Sequence, residues 1–465
     1  MSVVAVAACL LALASGCRKH EAAPSDPNLI TLRLWQSYND QERAVFDQLA
    51  AEFERDFPKK HPGKHVKIEV ESVPFDNLVQ NIARAAQAGI TPDMARVDAL
   101  KVVELAYGKV AVALDTLPSF KGTLEEKRDE FIPAAFDTNV INIKGETHLY
   151  GLPEQTTCLT LYWNRDHFRN KEAELRAAGL DSHRAPRDWD EMIAYGRILT
   201  DHDAGIYAFG HTNSLWFNFA LLNTYEAPFI ETDNRGESRC VVSRGGNAEM
   251  ILQRLIDMTY KWGIEAEAWK SGNVPADQGF MNQRYSMVLQ GPWNYKRFKD
   301  AGVNVGLALI PRMPKGDAIE LGLLPKDASD AQYDERIKSS SNIGGNDLII
   351  LRSCLERGMA DYAHEFLEFF TSTEVQTRWG NTLGQIPVNK AAADQIDKNA
   401  NPATAHFIEQ IKNARALPRI PLYAVLEEQT NRQLDLAFQR KMPLSKALKN
   451  IEQITDDQIL SLVNE

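Results

Sequence analysis

Past an apolar leader, the chain switches repeatedly between two hydrophobic periods. Ile30, Leu32 and Leu34 alternate with Thr31 and Arg33, the period of a half-buried strand. Val45, Leu49 and Phe53, with Phe46 and Phe57, recur at helical spacing over 40–57, and Pro58, Pro62 and Gly63 break that helix. Val66, Ile68 and Val70 alternate with Lys67, Glu69 and Glu71, a second strand. Leu78, Ile82 and Ala85 follow at helical spacing to about Gly89, then a short strand over 92–97 and a helix over 99–107. This βαβαβ order predicts an α/β protein with a mainly parallel sheet flanked by helices.

Later segments keep the alternation. Strands are expected at 159–163, 285–290, 303–310 and 347–351, and helices at 189–199, 247–262 and 359–371, with a turn at Asp233-Asn234-Arg235-Gly236. The C-terminal third reads as mostly helical. Open α/β sheets bind ligands beyond the carboxyl ends of their strands, so the residues following each strand are the ones to examine. At 465 residues the chain is too long for one ordinary core, and two lobes are expected, with the default site in the cleft between them.

The leader changes the cellular picture. Val3 to Ala14 is nearly pure apolar sequence, too short for the roughly 20 residues of a membrane-spanning helix and suited to a signal peptide. It ends in Leu13-Ala14-Ser15-Gly16-Cys17, which resembles a lipobox. Ala14 stands where Leu is commonest, and no Lys or Arg precedes the apolar run. The expected layout is a signal peptide over 1–16, a lipidated Cys17 and a tether over 17–27. A cut before Cys9, a non-lipidated secretory signal and a buried N-terminal strand are the alternatives. Cys158, Cys240 and Cys354 then remain, too widely spaced for a zinc site, and are expected as free buried thiols. The net charge of −11 argues against nucleic acid, which rewards clustered Lys and Arg.

At Gly151–Asn170 the residues become specific. Gly151-Leu152-Pro153-Glu154 runs into Leu161-Tyr162-Trp163-Asn164, then Phe168 and Asn170. Pro186-Arg187-Asp188-Trp189-Asp190-Glu191 follows, then Met287 through Gly291-Pro292-Trp293, Leu309-Ile310-Pro311, Gly344-Gly345 through Ile350, and Gly384-Gln385-Ile386-Pro387-Val388. This series resembles the family 1 extracellular solute-binding proteins, the group containing maltose-binding protein. Trp163 replaces the usual Tyr, and Gln283 a common Gly. The resemblance implies a two-lobed periplasmic-binding-protein type II fold with discontinuous lobes. Lobe one would hold 28–153 and 312–384, lobe two 154–311 and 385–465. Hinge crossings are expected near 154–157, 308–312 and 383–388.

Sugars present flat apolar faces and a rim of hydroxyls, so a sugar site needs aromatic faces and planar polar groups. The resemblance places the loop after the first strand, Trp35-Gln36-Ser37, against the ligand. Arg96 and Asp98 end the third strand and could donate to or accept from hydroxyls; an ion pair or helix cap is the plainer account. Glu154 and Gln155 fall at the expected hinge. Trp216 lies in a segment resembling the second lobe's aromatic stretch, and Trp293 is the foremost stacking candidate. Asn342 and Gly345 precede a strand, where amide and backbone groups could face the cleft.

Competing chemistry is thin. There is no Gly-x-Ser-x-Gly, P-loop or Gly-x-Gly-x-x-Gly. His364-Glu365 begins like a zinc-protease helix, but Glu368 occupies the second histidine's place. Asp201-His202-Asp203 reads better as a loop than as a metal site. The expectation is therefore a receptor with no catalytic residue, metal or cofactor. It would bind a sugar or oligosaccharide, meet the membrane permease subunits of an ABC importer, and act as a monomer held outside the cytoplasm by its lipid. A same-fold receptor for a polyamine, glycerol phosphodiester or metal chelate is the alternative, with a carbohydrate-active enzyme behind it.

Overall fold

A computed structural model describes residues 26–233 and 237–464. The expected signal peptide, Cys9, Cys17 and most of the expected tether lie outside these residues, as do Asn234, Arg235 and Gly236 of the expected turn.

Ten strands matter for the site. They are β1 (Leu29–Gln36), β2 (His65–Ser72), β3 (Met94–Asp98), β4 (Leu152–Cys158), β5 (Thr160–Asn164), β6 (Tyr207–Gly210), β7 (Tyr285–Gln290), β8 (Val305–Ala308), β9 (Asn342–Ile350) and β10 (Arg415–Ala416). The first sheet has six strands in the order β10-β9-β3-β1-β2, with β4 on the other side of β9. The second has the order β8-β5-β7-β6. Two short ribbons, Val140–Ile143 with Glu146–Leu149 and Ile230–Thr232 with Ser238–Cys240, stand apart.

The local rules that shape these elements are visible. In β1 every second residue is buried, which puts Ile30, Leu32 and Leu34 into the core. Helix α1 (Asp40–Lys60) starts at Asn39, whose side chain accepts from the Glu42 backbone while Glu42 reaches back to the Asn39 N–H. It buries Phe46, Leu49, Phe53 and Phe57. The expected break at Pro58 is absent: the helix passes through it to Lys60, because Pro58 sits in the last turn, where losing one hydrogen bond costs little. Helix α2 (Phe75–Gln87) and helix α3 (Ala99–Tyr107) complete the first βαβαβ unit.

The sheets are mixed rather than mainly parallel. β1 pairs in parallel with β2 and β3, but β9 runs antiparallel to both β3 and β4. In the second sheet β5 is antiparallel to β7 and β8. The chain enters β9 and β5 from the opposite end of the molecule, and period-two alternation carries no strand direction. β9 also begins earlier than the expected 347–351, because Gly344-Gly345-Asn346 pairs fully without any apolar alternation.

Packing moves the expected crossings. β4 stays in the first sheet through Cys158 and β5 joins the second at Thr160, so the first passage lies at Leu159 rather than at 154–157. No return occurs at 308–312: Met313, Ala318, Tyr333 and Ile337 share a buried cluster with Leu161 and Met287. The chain returns at Ser340–Ser341, directly ahead of β9. Val388 still packs in the first core with Phe370 and Trp379, whereas Phe407 packs beside Tyr162, so the third passage falls between them and not at 383–388. Cys158, Cys240 and Cys354 are free and buried.

Trp189, capped by Asp188 at the start of helix α4 (Trp189–Leu199), fills the second core and meets Phe209 edge-on. Beyond it, His211 lies 3% exposed against Phe209 and Phe438. Burial pushes its imidazole down from the usual 6.5 to about 3. The folded state thus keeps it neutral while the unfolded chain takes up a proton, so stability falls as pH drops from about 6.5 toward 3. The slope from this residue is about 1.4 kcal/mol per pH unit. Urea denaturation between pH 7 and pH 4 is expected to show this loss, with the slope reduced in His211→Phe.

Candidate functional site

Where the two sheets face each other, a cavity of about 450 Å³ opens between their strand ends. From the side of the first sheet come Asp98 at the end of β3, Gln155 and Thr157 on β4, and Gly344, Gly345 and Asn346 on β9. Leu100 on α3, Leu383 at the end of helix α6 (Thr373–Leu383), and Gly384 and Gln385 just after it complete that wall. From the side of the second sheet come Trp216, at the start of helix α5 (Leu215–Thr224), and Pro292-Trp293 after β7.

Glycines give both tryptophan rings their places. A Cβ on Gly344 would sit 2.3 Å from the Trp216 ring, and one on Gly291 would sit 2.0 Å from the Trp293 ring. Trp216 therefore rests against the crossing strand, and its carbonyl accepts 2.8 Å from Asn342 Nδ2. Trp293 is 51% exposed, an uncovered aromatic face. Its turn is anchored by Tyr162, whose hydroxyl donates 2.8 Å to the Gly291 carbonyl. Gly345, at φ +146°, passes so close to the Gln155 carbonyl that a Cβ would stand 1.8 Å from it.

Polar groups fill the opposite wall. Asp98 caps α3, accepting 2.7 Å from the Leu100 N–H, and burial raises its carboxyl. Gln155 Oε1 accepts from Asn346 at 3.3 Å and from the Arg96 guanidinium, while its Nε2 donates to Gln385. Gln385 in turn donates 3.0 Å to Glu42. The amide that faces the cavity is thus oriented by bonds on both of its atoms.

Of the sequence candidates, Asp98, Gln155, Trp216, Trp293 and Gly345 meet around this cavity. Six do not line it. Trp35 donates 2.8 Å to Glu71, its register partner on β2, and packs on the first core. Gln36 is buried on Ser72, 2.8 Å away, and takes the Tyr38 N–H. Ser37 stays beside it with a buried, unpartnered Oγ. β1 is flanked by β2 and β3, and its last residues are spent on those neighbours. Arg96, 3% exposed, and Glu154, fully buried, form a 2.7 Å ion pair behind the wall, with the guanidinium 4.4 Å from the Tyr38 ring centre. Asn342 is consumed by the Trp216 carbonyl.

Other sequence signals resolve into packing. His364 Nδ1 lies 3.0 Å from the Ser119 hydroxyl, and Glu365 pairs with His61. Asp201 caps its own turn at Ala204. Among the described residues no three His, Cys, Asp or Glu side chains gather as metal ligands, and no helix is long and apolar enough to cross a membrane.

Comparison with known proteins places this architecture. The model of the bacterial extracellular solute-binding protein family matches residues 48–406. The chain belongs to that family. The maltooligosaccharide ABC transporter solute-binding lipoprotein of Streptococcus pneumoniae is 26% identical over 58% of this chain and 56% of its own length, so the chain spans little over half of that relative. The galactooligosaccharide-binding protein of Bacillus subtilis is 23% identical over 67% of each. The crystal structure of the cyclic alpha-maltosyl-1,6-maltose binding protein from Arthrobacter globiformis superposes with a TM-score of 0.72 at 18% identity, covering 91% of this chain and 97% of that one. The fold is therefore the two-lobed α/β fold of these binding proteins.

Sequence reasoning missed several cavity residues of this solute-binding protein. Gln385 stood inside a motif read only as a crossing, and Asn346 and Thr157 adjoin residues that were singled out.

Arg96 tests the support of this wall. Arg96→Met leaves Glu154 buried without its partner, and urea denaturation is expected to show a loss of about 3–5 kcal/mol. The double variant Arg96→Met with Glu154→Leu is expected to recover part of it.

Proposed function

We propose that this chain is the extracytoplasmic receptor of an ABC importer and that it captures a neutral sugar or oligosaccharide between its lobes. The observation that carries the reading is the division of labour across the cavity. The second lobe supplies two aromatic faces, Trp216 and Trp293, and the first supplies amide, hydroxyl and carboxylate groups on Gln155, Asn346, Gln385, Thr157 and Asp98. A sugar ring can stack on the one and hydrogen-bond the other only when the lobes stand together, so binding favours the closed arrangement. Among the described residues Asp98 is the one charged group on this wall, and Arg96 is already neutralised by Glu154. That balance favours an uncharged ligand over a phosphorylated or acidic one. The names of the relatives, a maltooligosaccharide transporter's solute-binding lipoprotein and a galactooligosaccharide-binding protein, support the same ligand class.

In this reading the first lobe holds 28–158 and 342 to about 394, and the second 160–341 and about 402–464, whose strand β10 reaches across to pair with β9; the hinge lies at Leu159, Ser340–Ser341 and the stretch before helix α7 (Pro402–Ile411). Closure presents a joined face to the permease subunits, the protein works as a monomer, and no covalent step is needed. Cys17 carries the lipid that keeps it at the membrane, as the naming of a relative as a lipoprotein supports.

Isothermal titration with a panel of neutral oligosaccharides, maltotriose among them, tests this directly. At least one is expected to bind without being cleaved, and Trp293→Ala is expected to weaken it about tenfold or more, the loss of one stacked face. Release of shorter sugars on incubation, or a panel that leaves the protein untouched, would sink the receptor reading. For the anchor, labelled palmitate is expected in the chain expressed in bacteria and absent from Cys17→Ser.

A further inference from the structure

A second cavity, of about 440 Å³, lies between the same two helices that wall the first. On α3 the first cavity takes Leu100 and the second Tyr107; on α5 the first takes Trp216 and the second Phe219 and Asn223. Seven residues separate Leu100 from Tyr107 and Trp216 from Asn223, about 10 Å along each helix. Asn142 and Thr147 close one side from the Val140–Leu149 ribbon, and the 415–420 segment beside β9 closes the other.

Its charge differs from that of the first cavity. Among the described residues Arg415 and Arg419 are the charged ones lining it, in a chain whose net charge is −11. The acids nearest to them are already engaged by other arginines. Glu226, which feels Arg415, is held by Arg336, 2.7 Å between Nη2 and Oε2. Asp137, beside Arg419, is held by Arg128 at 2.6 and 2.7 Å. Arg419 Nη1 donates to the backbone carbonyls of Asp137 and Val140, both at 2.6 Å, which fixes it across the gap between the lobes. The Arg415 guanidinium makes no hydrogen bond to a described residue. Two positive charges are thus in excess, set among hydroxyl, amide and aromatic groups.

We propose that this second cavity binds a small hydroxylated anion, one carrying a phosphate or carboxylate beside its hydroxyls. Arg415 takes the anionic group, Asn142, Thr147 and Asn223 meet the hydroxyls, and Tyr107 and Phe219 flank the carbon skeleton. Because its walls come from both lobes, an occupant ties them together in the arrangement seen here. What fills the first cavity leaves these residues uncovered: a sugar there shares the arrangement that an anion here favours, without competing for the site.

The experiment is isothermal titration of the full chain with glucose 6-phosphate and with gluconate, using glucose as the uncharged control. At least one anion is expected to bind, and the two arms separate phosphate from carboxylate recognition. Trp293→Ala is expected to leave anion binding unchanged and excess maltotriose not to displace the anion, while Arg415→Gln weakens it about tenfold or more. Failure of both anions to bind, displacement by maltotriose, or full binding by Arg415→Gln overturns the proposal. Arg415 is exposed, and an unchanged melting temperature for the variant separates lost binding from lost folding.

Discussion

Strand β9 has two demands placed on it at once. It must pair on both sides, with β3 and with β4, to hold the first sheet together. It must also bring its backbone against the Trp216 ring and the Gln155 carbonyl at the lobe boundary. Only residues without a Cβ satisfy the second demand, so Gly344 and Gly345 occupy the segment where the strand leaves the passage between lobes. Everything in the cavity follows from that contact: Trp216 packs against the glycine backbone, Asn342 holds its carbonyl, and Asn346 turns toward Gln155.

Behind the wall, the Arg96–Glu154 pair does something a surface pair could not. Sealed from water and stacked on Tyr38, it presents a guanidinium to Gln155 and removes its charge from the cavity. The result is an amide surface rather than a charged one, with Asp98 as the single carboxylate. Charge is instead left in excess about two helical turns away, where Arg415 and Arg419 find no free acid. Two neighbouring cavities with opposite electrostatic character are built from the same pair of helices.

Much of the first βαβαβ unit was legible in the chain. β1, β2, α1 and the helix at 189–199 obey their periods and caps closely, because their burial is one-sided and local. The tryptophans of the cavity were legible for a different reason: Trp293 follows a strand end, and Trp216 sits in an aromatic stretch resembling a known family. Trp35 follows a strand end equally well, yet its indole is claimed by Glu71 across the register. Nothing in the one-dimensional pattern separates those two cases. Arg96 and Glu154 were chosen for the right neighbourhood, but their mutual distance and their removal from solvent are properties of β3 and β4 meeting through β9.

The sequence by itself determined the alternation of strands and helices, the apolar faces that become two cores, and the family motifs strung along the chain. Each of these depends on residues within a turn or two of one another. Tertiary structure alone decided where the chain passes between lobes, that residues 313–337 belong with the second core, and which polar side chains face the cavity rather than each other. Those outcomes turn on contacts between segments separated by up to hundreds of residues, such as Gln155 with Gln385 and Trp216 with Asn342, and no local period encodes them.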